Sequence, residues 1–189
     1  MSYSVPMGIT RVIHSGPALD LPAIGEMEAR LGVALPEPYR EFLLRHNGGK
    51  PEPANYRNRK LRLFHIVDDR FEEYANLWGD IDNMRDDLPE DVIPVAYDDS
   101  GDRVCLALAG ENRGRVYLWD SEGREPAFDY RTEFPGLDLP DNYEFKPDDW
   151  PGHPDLTLIA EDFAEFLESF HEWSEEAKFE AEANNAGGI

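Results

Sequence analysis

The sequence predicts an α+β fold, a single domain in which N-terminal and C-terminal helices pack on a mostly antiparallel sheet of about five to six strands. Three observations predict it. Apolar residues recur at helical spacing towards both ends of the chain, short β-branched and aromatic runs fill the middle, and turn residues separate those runs. With 189 residues the chain suits one domain, and neither a composition break nor an internal repeat marks a second. A chain of this length buries roughly 70% of the surface its unfolded form exposes, so it builds a core without staples.

Residues 1–20 read as an irregular start, 21–180 as the domain, and 181–189 as a frayed tail. Leu21 to Leu31 reads as a helix with Ile24, Met27 and Leu31 on one face and Gly32 as its stop. After a turn at Leu35-Pro36 a second helix follows. Pro38 fits its first turn, where a missing N–H costs nothing, and Gly48 takes the left-handed conformation that closes it. Tyr39, Phe42, Leu43 and His46 share one face, which makes this segment a packing element. Lys50 to Lys60, with two prolines and two asparagines, reads as a loop holding Lys50, Arg57, Arg59 and Lys60.

Leu61 to Ile66 alternates as a strand, Phe71 to Trp78 reads as a helical turn or two, and Gly79 to Asp91 as an acidic loop. Val92 to Tyr97, Arg103 to Ala109 and Gly114 to Trp119 form an antiparallel meander. Ala127 to Thr132 adds a further strand. Pro135 to Pro154, broken by five prolines, wraps the surface with Trp150 as an anchor. Ile159, Phe163, Phe166, Leu167, Phe170 and Trp173 define a closing helix.

Lys and Arg number 18 against 40 Asp and Glu, a formal charge of −22, yet 41% of residues are hydrophobic and 12% aromatic, so the chain is no disordered acidic tail. A folded domain so charged repels nucleic acid and anionic membranes and draws cationic proteins by long-range steering. The same excess of acid also serves solubility, and charge alone leaves both readings open. The single cysteine, Cys105, excludes an internal disulfide and a Cys-based zinc site and reads as a small packed strand residue. Met1 to Thr10 has no basic region or long apolar stretch, and no window approaches the ~20 apolar residues of a membrane span, so a soluble, cytoplasmic protein is expected.

No constellation points to catalysis. Asp98-Asp99-Ser100-Gly101-Asp102 holds carboxylates near a glycine but lacks the spacing and final Glu of a calcium loop, and reads as a hairpin turn whose acids satisfy turn N–H groups. His171-Glu172 lacks the second histidine of a zinc-protease helix, and His14, His46, His65 and His153 are scattered without ligand spacing. His46 sits at a helix C-terminus, where a partly charged imidazole is favourable. Gly48-Gly49-Lys50-Pro51 has no phosphate-loop frame, and no G-x-S-x-G is present. Neither cofactor nor metal is expected. The acidic residues of the closing helix, from Glu161 to Glu182 with one lysine, set like charges at i, i+4 spacing, which opposes the local fold.

Four blocks in order resemble the SMI1/KNR4 family of the SUKH superfamily: Ile24 to Gly49, with its Leu-Pro and Asn-Gly-Gly pieces, Asp91 to Leu108, Gly114 to Asp120, and Ile159 to Phe170. The resemblance implies a non-enzymatic α+β domain. Many bacterial members are immunity proteins that bind and silence a cognate toxin, often a nuclease, while fungal members are regulatory scaffolds. It implies no catalytic residues. The expectation is therefore a protein-binding module for a basic toxin, with no nucleic-acid or membrane partner, contacting it through Asp82, Asp86, Asp87, Glu90 and Asp91 of the acidic loop and Asp98, Asp99 and Asp102 of the turn. A scaffold without a toxin partner is the alternative.

Overall fold

The computed structural model describes residues 8–57, 59–71, 75–121 and 155–172. Nine strands and four helices lie among them: β1 (Arg11–Ile13), α1 (Leu21–Leu31), α2 (Glu37–His46), β2 (Lys50–Glu52), β3 (Asn55–Tyr56), β4 (Arg59–Phe64), α3 (Leu77–Asn83), β5 (Val92–Asp98), β6 (Arg103–Ala107), β7 (Val116–Trp119), β8 (Leu156–Ala160), α4 (Phe163–Glu168) and β9 (Phe170–His171). The α+β class and the antiparallel sheet are as the sequence predicts. The sheet is larger, with seven strands in the order β8-β7-β6-β5-β4-β3-β9 and every pairing antiparallel.

Chain length forces this sheet to curl. Its two edges, β8 and β9, are joined by ten residue steps from Ala160 to Phe170, about half of them helical. Those steps span at most about 25 Å, while seven flat strands would lie about 29 Å from edge to edge. The sheet therefore bends around α4. Phe163 and Phe166 of that helix fill the resulting concavity, with Phe163 4.9 Å from Tyr39 of α2 in edge-on contact and Phe166 5.2 Å from Phe170. Rings buried to this degree are worth about 3–5 kcal/mol each against alanine. Alternation along β6 sends Val104 and Leu106 into this core, while Cys105 and Ala107 join Tyr117 and Leu156 in a second cluster on the opposite face. Cys105 is fully buried, as a packed strand residue should be, and burial pushes its thiol pKa up.

Helix α1 has the predicted bounds: the Asp20 side chain accepts from Ala23 N–H at 2.9 Å, and Gly32 ends it at φ 72°. Elsewhere the structure departs from expectation. The supposedly irregular start contains β1, and the Lys50 to Lys60 loop supplies β2, paired with β1, and β3. Backbone pairing overrides the prolines here because Pro51 and Pro53 sit in short strands or just beyond them. The helix expected over Phe71 to Trp78 begins later, at Leu77. Asn76 is still extended, bridged to Ile66, and its side chain caps the helix by accepting from Gly79 N–H at 2.6 Å.

The closing helix is only six residues long. Ile159 lies in β8 and Phe170 in β9, so the spacing that resembled one long helix is strand, helix and strand converging on one core. The acids at its start do not oppose it. Asp162 caps the helix by accepting from Glu165 N–H at 2.8 Å, Glu165 accepts from Glu161 N–H at 2.7 Å, and Glu161 pairs with Arg115 at 3.0 Å. Carboxylates at a helix start are favourable. The expected strand Ala127 to Thr132, the proline-rich stretch with Trp150, and everything beyond Glu172 lie outside the described residues.

Candidate partner-binding surface

A groove of about 550 Å³ opens where the C-terminal end of α1, α3 with its following turn, and the start of β5 meet. Its floor is apolar: Val33, Ile81, Met84, Leu88 and Leu108. The rim is built by the turn after α3. There the Asp87 and Leu88 N–H groups both donate to Met84 O at 3.0 Å, which keeps the backbone coiled. Met84 is buried in the floor, while Asp86, Asp87 and Glu90 are exposed and Asp91 is half-buried.

The charges around this groove do not cancel. Its two arginines are engaged: Arg30 lies 3.7 Å above the Trp78 ring and 3.7 Å from Asp69, and Arg85 pairs with Asp82. Asp86, Glu90 and Asp91 form no ion pair among the described residues. The rim thus presents uncompensated negative charge beside apolar surface.

Of the eight acidic residues expected at an interface, Glu90 and Asp91 line this groove at the start of β5, while Asp82 lies in α3 and Asp86 and Asp87 on the turn that follows it. The other three lie at the far end of β5, roughly 20 Å away at about 3.3 Å per residue. Two of those three are taken up inside the fold, with Asp98 2% and Asp102 3% exposed. Asp98 closes the hairpin turn by accepting from Ser100 N–H at 2.9 Å and Asp102 N–H at 3.1 Å, and it takes Arg59 Nη1 at 2.9 Å. Arg59 also bonds Asp102. Burial alone would raise the Asp102 pKa, but the Ser121 N–H and hydroxyl and the Arg59 guanidinium hold it below the usual carboxylate range. Such carboxylates have little surface to offer a partner. Asp99 is exposed, 4.0 Å from Lys60.

A family model described as the SMI1 / KNR4 family (SUKH-1) matches residues 19–169. The chain belongs to that family. No curated protein matches it. A crystal structure of a protein from Pseudomonas syringae pv. tomato is similar at 23% identity, over 60% of this chain and 76% of that one, with a TM-score of 0.40.

In this SMI1/KNR4 chain the Asn-Gly-Gly stretch is a clamp. Asn47, 2% exposed, donates from Nδ2 to Pro17 O at 2.7 Å and accepts Val67 N–H on Oδ1 at 2.8 Å, while its carbonyl accepts Gly16 N–H at 2.9 Å. Gly48 has φ 65°, and a Cβ there would lie 2.7 Å from Phe64 O and closer still to His65 O. Three segments therefore meet at one side chain and one missing side chain. His46, just before them, lies tilted against Phe42, ring centroids 5.6 Å apart. Burial and the neighbouring Arg45 lower its pKa, so the charged imidazole expected at this helix end is disfavoured.

A further buried cluster lay beyond sequence reasoning. Asp80, fully buried in α3, accepts Arg103 Nε at 2.8 Å and lies 3.2 Å from His65 Nε2, although the sequence places it in an exposed acidic loop. The three residues are 15 and 23 positions apart in the chain, so no local spacing marks them. Among the described residues no group of His, Cys, Asp or Glu is placed to hold a metal ion, and no helix is long and apolar enough to cross a membrane.

Proposed function

We propose that the chain is an immunity-type binding module that neutralises a basic toxin, docking it on the acidic rim and apolar floor of the groove between α1, α3 and β5. Membership of the SUKH-1 family supports a protein of this type. The observation that carries the reading is the groove itself, in which both arginines are engaged while its lining acids Glu90 and Asp91, with Asp86 on the adjoining turn, form no ion pair among the described residues. Such a rim steers a cationic partner into encounter, and the apolar floor then holds it by excluding water. Asp87 extends the rim. Asp98 and Asp102 are left out because Arg59 engages them internally, and Asp99 because it lies at the far end of β5.

The test is co-purification from the source cells followed by kinetics. A basic protein should be captured whose expression alone arrests growth and whose toxicity this chain relieves. The triple variant Asp86→Lys, Glu90→Lys, Asp91→Lys should slow its association about 10- to 100-fold at low salt and flatten the salt dependence, with a smaller change in dissociation. An association rate and salt slope equal to those of the unchanged protein would rule this surface out.

A further inference from the structure

At the opposite end of β5 the fold gathers the reverse charge. A pocket of about 490 Å³ is lined by Lys50, Lys60 and Arg62, with His14, Tyr97 and Asp99. The topology explains the gathering. Lys50 opens β2, Lys60 and Arg62 both reach the pocket from β4 on either side of Leu61, where the pairing with β5 shifts register, and His14 follows β1, the partner of β2. Gly49, at φ 110° and bridged to Phe64 of β4, admits β1 closely because it has no side chain: a Cβ there would lie 2.7 Å from Ile13 O. Two of the chain's four lysines are in this one pocket.

Three permanent cations meet a single carboxylate, Asp99, whose distance from Lys60 is 4.0 Å. Lys50 and Arg62 form no ion pair among the described residues. Arg62 lies against the Tyr97 hydroxyl, and Tyr97 is fixed from behind by His65, with ring centroids 5.7 Å apart, which makes a firm wall. The acids closest in sequence are occupied elsewhere: Glu52 pairs with Arg11, and Asp98 and Asp102 hold Arg59.

The rest of the chain decides which anion fits. With a net charge of −22, the molecule as a whole repels nucleic acid, anionic membranes and acidic proteins, whose charge extends over many ångströms of its surface. At physiological salt that repulsion is screened beyond about 8 Å, so a ligand small enough to lie within the pocket feels chiefly the three local cations. Clustered Lys and Arg donors suit a group with several charged oxygens. We propose that this pocket binds a small, multiply charged anion of the phosphoryl class through Lys50, Lys60 and Arg62. The proposal is independent of the acidic groove and of any toxin.

Titration of the full chain with pyrophosphate at constant ionic strength, followed by two-dimensional NMR, tests it. Saturable shifts confined to β2, β4 and Tyr97 are expected, with acetate at equal ionic strength giving none. Citrate separates the phosphoryl class from polycarboxylates: it should bind more weakly than pyrophosphate. The variant Lys60→Ala, Arg62→Ala changes exposed side chains and should weaken pyrophosphate binding tenfold or more, since each charged hydrogen bond lost contributes about that factor. Citrate binding more tightly than pyrophosphate would overturn the phosphoryl assignment. Shifts that are unsaturable or scattered over the surface, equal affinity in the double variant, or binding of an acidic peptide with none of pyrophosphate would overturn the site.

Discussion

Replacing Gly48 by alanine tests whether the Asn-Gly-Gly stretch is a rigid clamp. The cost has two parts. At φ 65° an alanine pays about 1–2 kcal/mol for the left-handed conformation. The added Cβ also meets backbone, 2.7 Å from Phe64 O and 2.7 Å from the His65 carbonyl carbon. Those atoms end β4, an interior strand of the seven-stranded sheet, and Phe64 and His65 are 0% and 1% exposed, so they do not recede. Overpacking of this kind costs about 1–3 kcal/mol, and the sum is about 3.5 kcal/mol. Gly32 supplies the control: its φ is 72°, but nothing lies within 4 Å of a Cβ built on it, so Gly32→Ala bears only the conformational part. For a domain of this size 1 kcal/mol shifts Tm by about 2–4 °C. Gly48→Ala should therefore melt about 10 °C below the parent and Gly32→Ala about 3–5 °C below, with urea midpoints in the same order. Equal shifts for the two variants would refute the close approach.

Two further substitutions probe buried polar groups. The Tyr39 hydroxyl is buried with no hydrogen-bond partner among the described residues, and burial raises its pKa, so Tyr39→Phe should leave stability unchanged or raise it by about 1 kcal/mol in urea unfolding; a loss above about 1 kcal/mol would mean the hydroxyl is satisfied. Arg59→Ala leaves Asp98 and Asp102 buried without their cation and should cost about 3 kcal/mol at pH 7. Because the folded Asp102 pKa lies below its unfolded value near 3.9, its contribution is complete above that pH and fades as pH falls through the lower folded value. The gap between parent and variant should therefore be constant from pH 6 to 8 and narrow at pH 3, and a gap as wide at pH 3 as at pH 7 would refute the assignment.

The elements legible from sequence are those whose signals are local. Asp20 and Gly32 bracket α1 by a cap and a left-handed stop, and the meander from Val92 to Trp119 is punctuated by turns that form as read. The illegible ones depend on partners far away in the chain. β2 exists because β1, some forty residues earlier, pairs with it, and β9 because Phe170 lies opposite Tyr56. The closing helix was overextended for a related reason. Periodicity reports which side chains reach the core, and Ile159, Phe163, Phe166 and Phe170 all do so or pack against it, but it does not report whether strand or helix carries them there.

Charge shows the same limit most sharply. A count of 40 acids against 18 bases fixes the far field but not its near pattern, because the fold decides which charges meet. Asp80, Asp98 and Asp102 go inward to arginines, and Asp162 and Glu165 hold a helix start. Glu90 and Asp91, with Asp86 on the adjoining turn, lie beside apolar surface at one end of β5, and Lys50, Lys60 and Arg62 line a pocket at the other. Two surfaces of opposite sign at opposite ends of one strand suit different chemistry, and the two proposals predict that reversing charge at one end leaves the other intact. The triple reversal at the rim should therefore leave pyrophosphate affinity within about twofold, and the pocket variant should leave the salt dependence of partner association unchanged, since at about 20 Å the two sites are separated by more than two screening lengths. A large effect of either variant on the other site would mean that the two ends act as one surface.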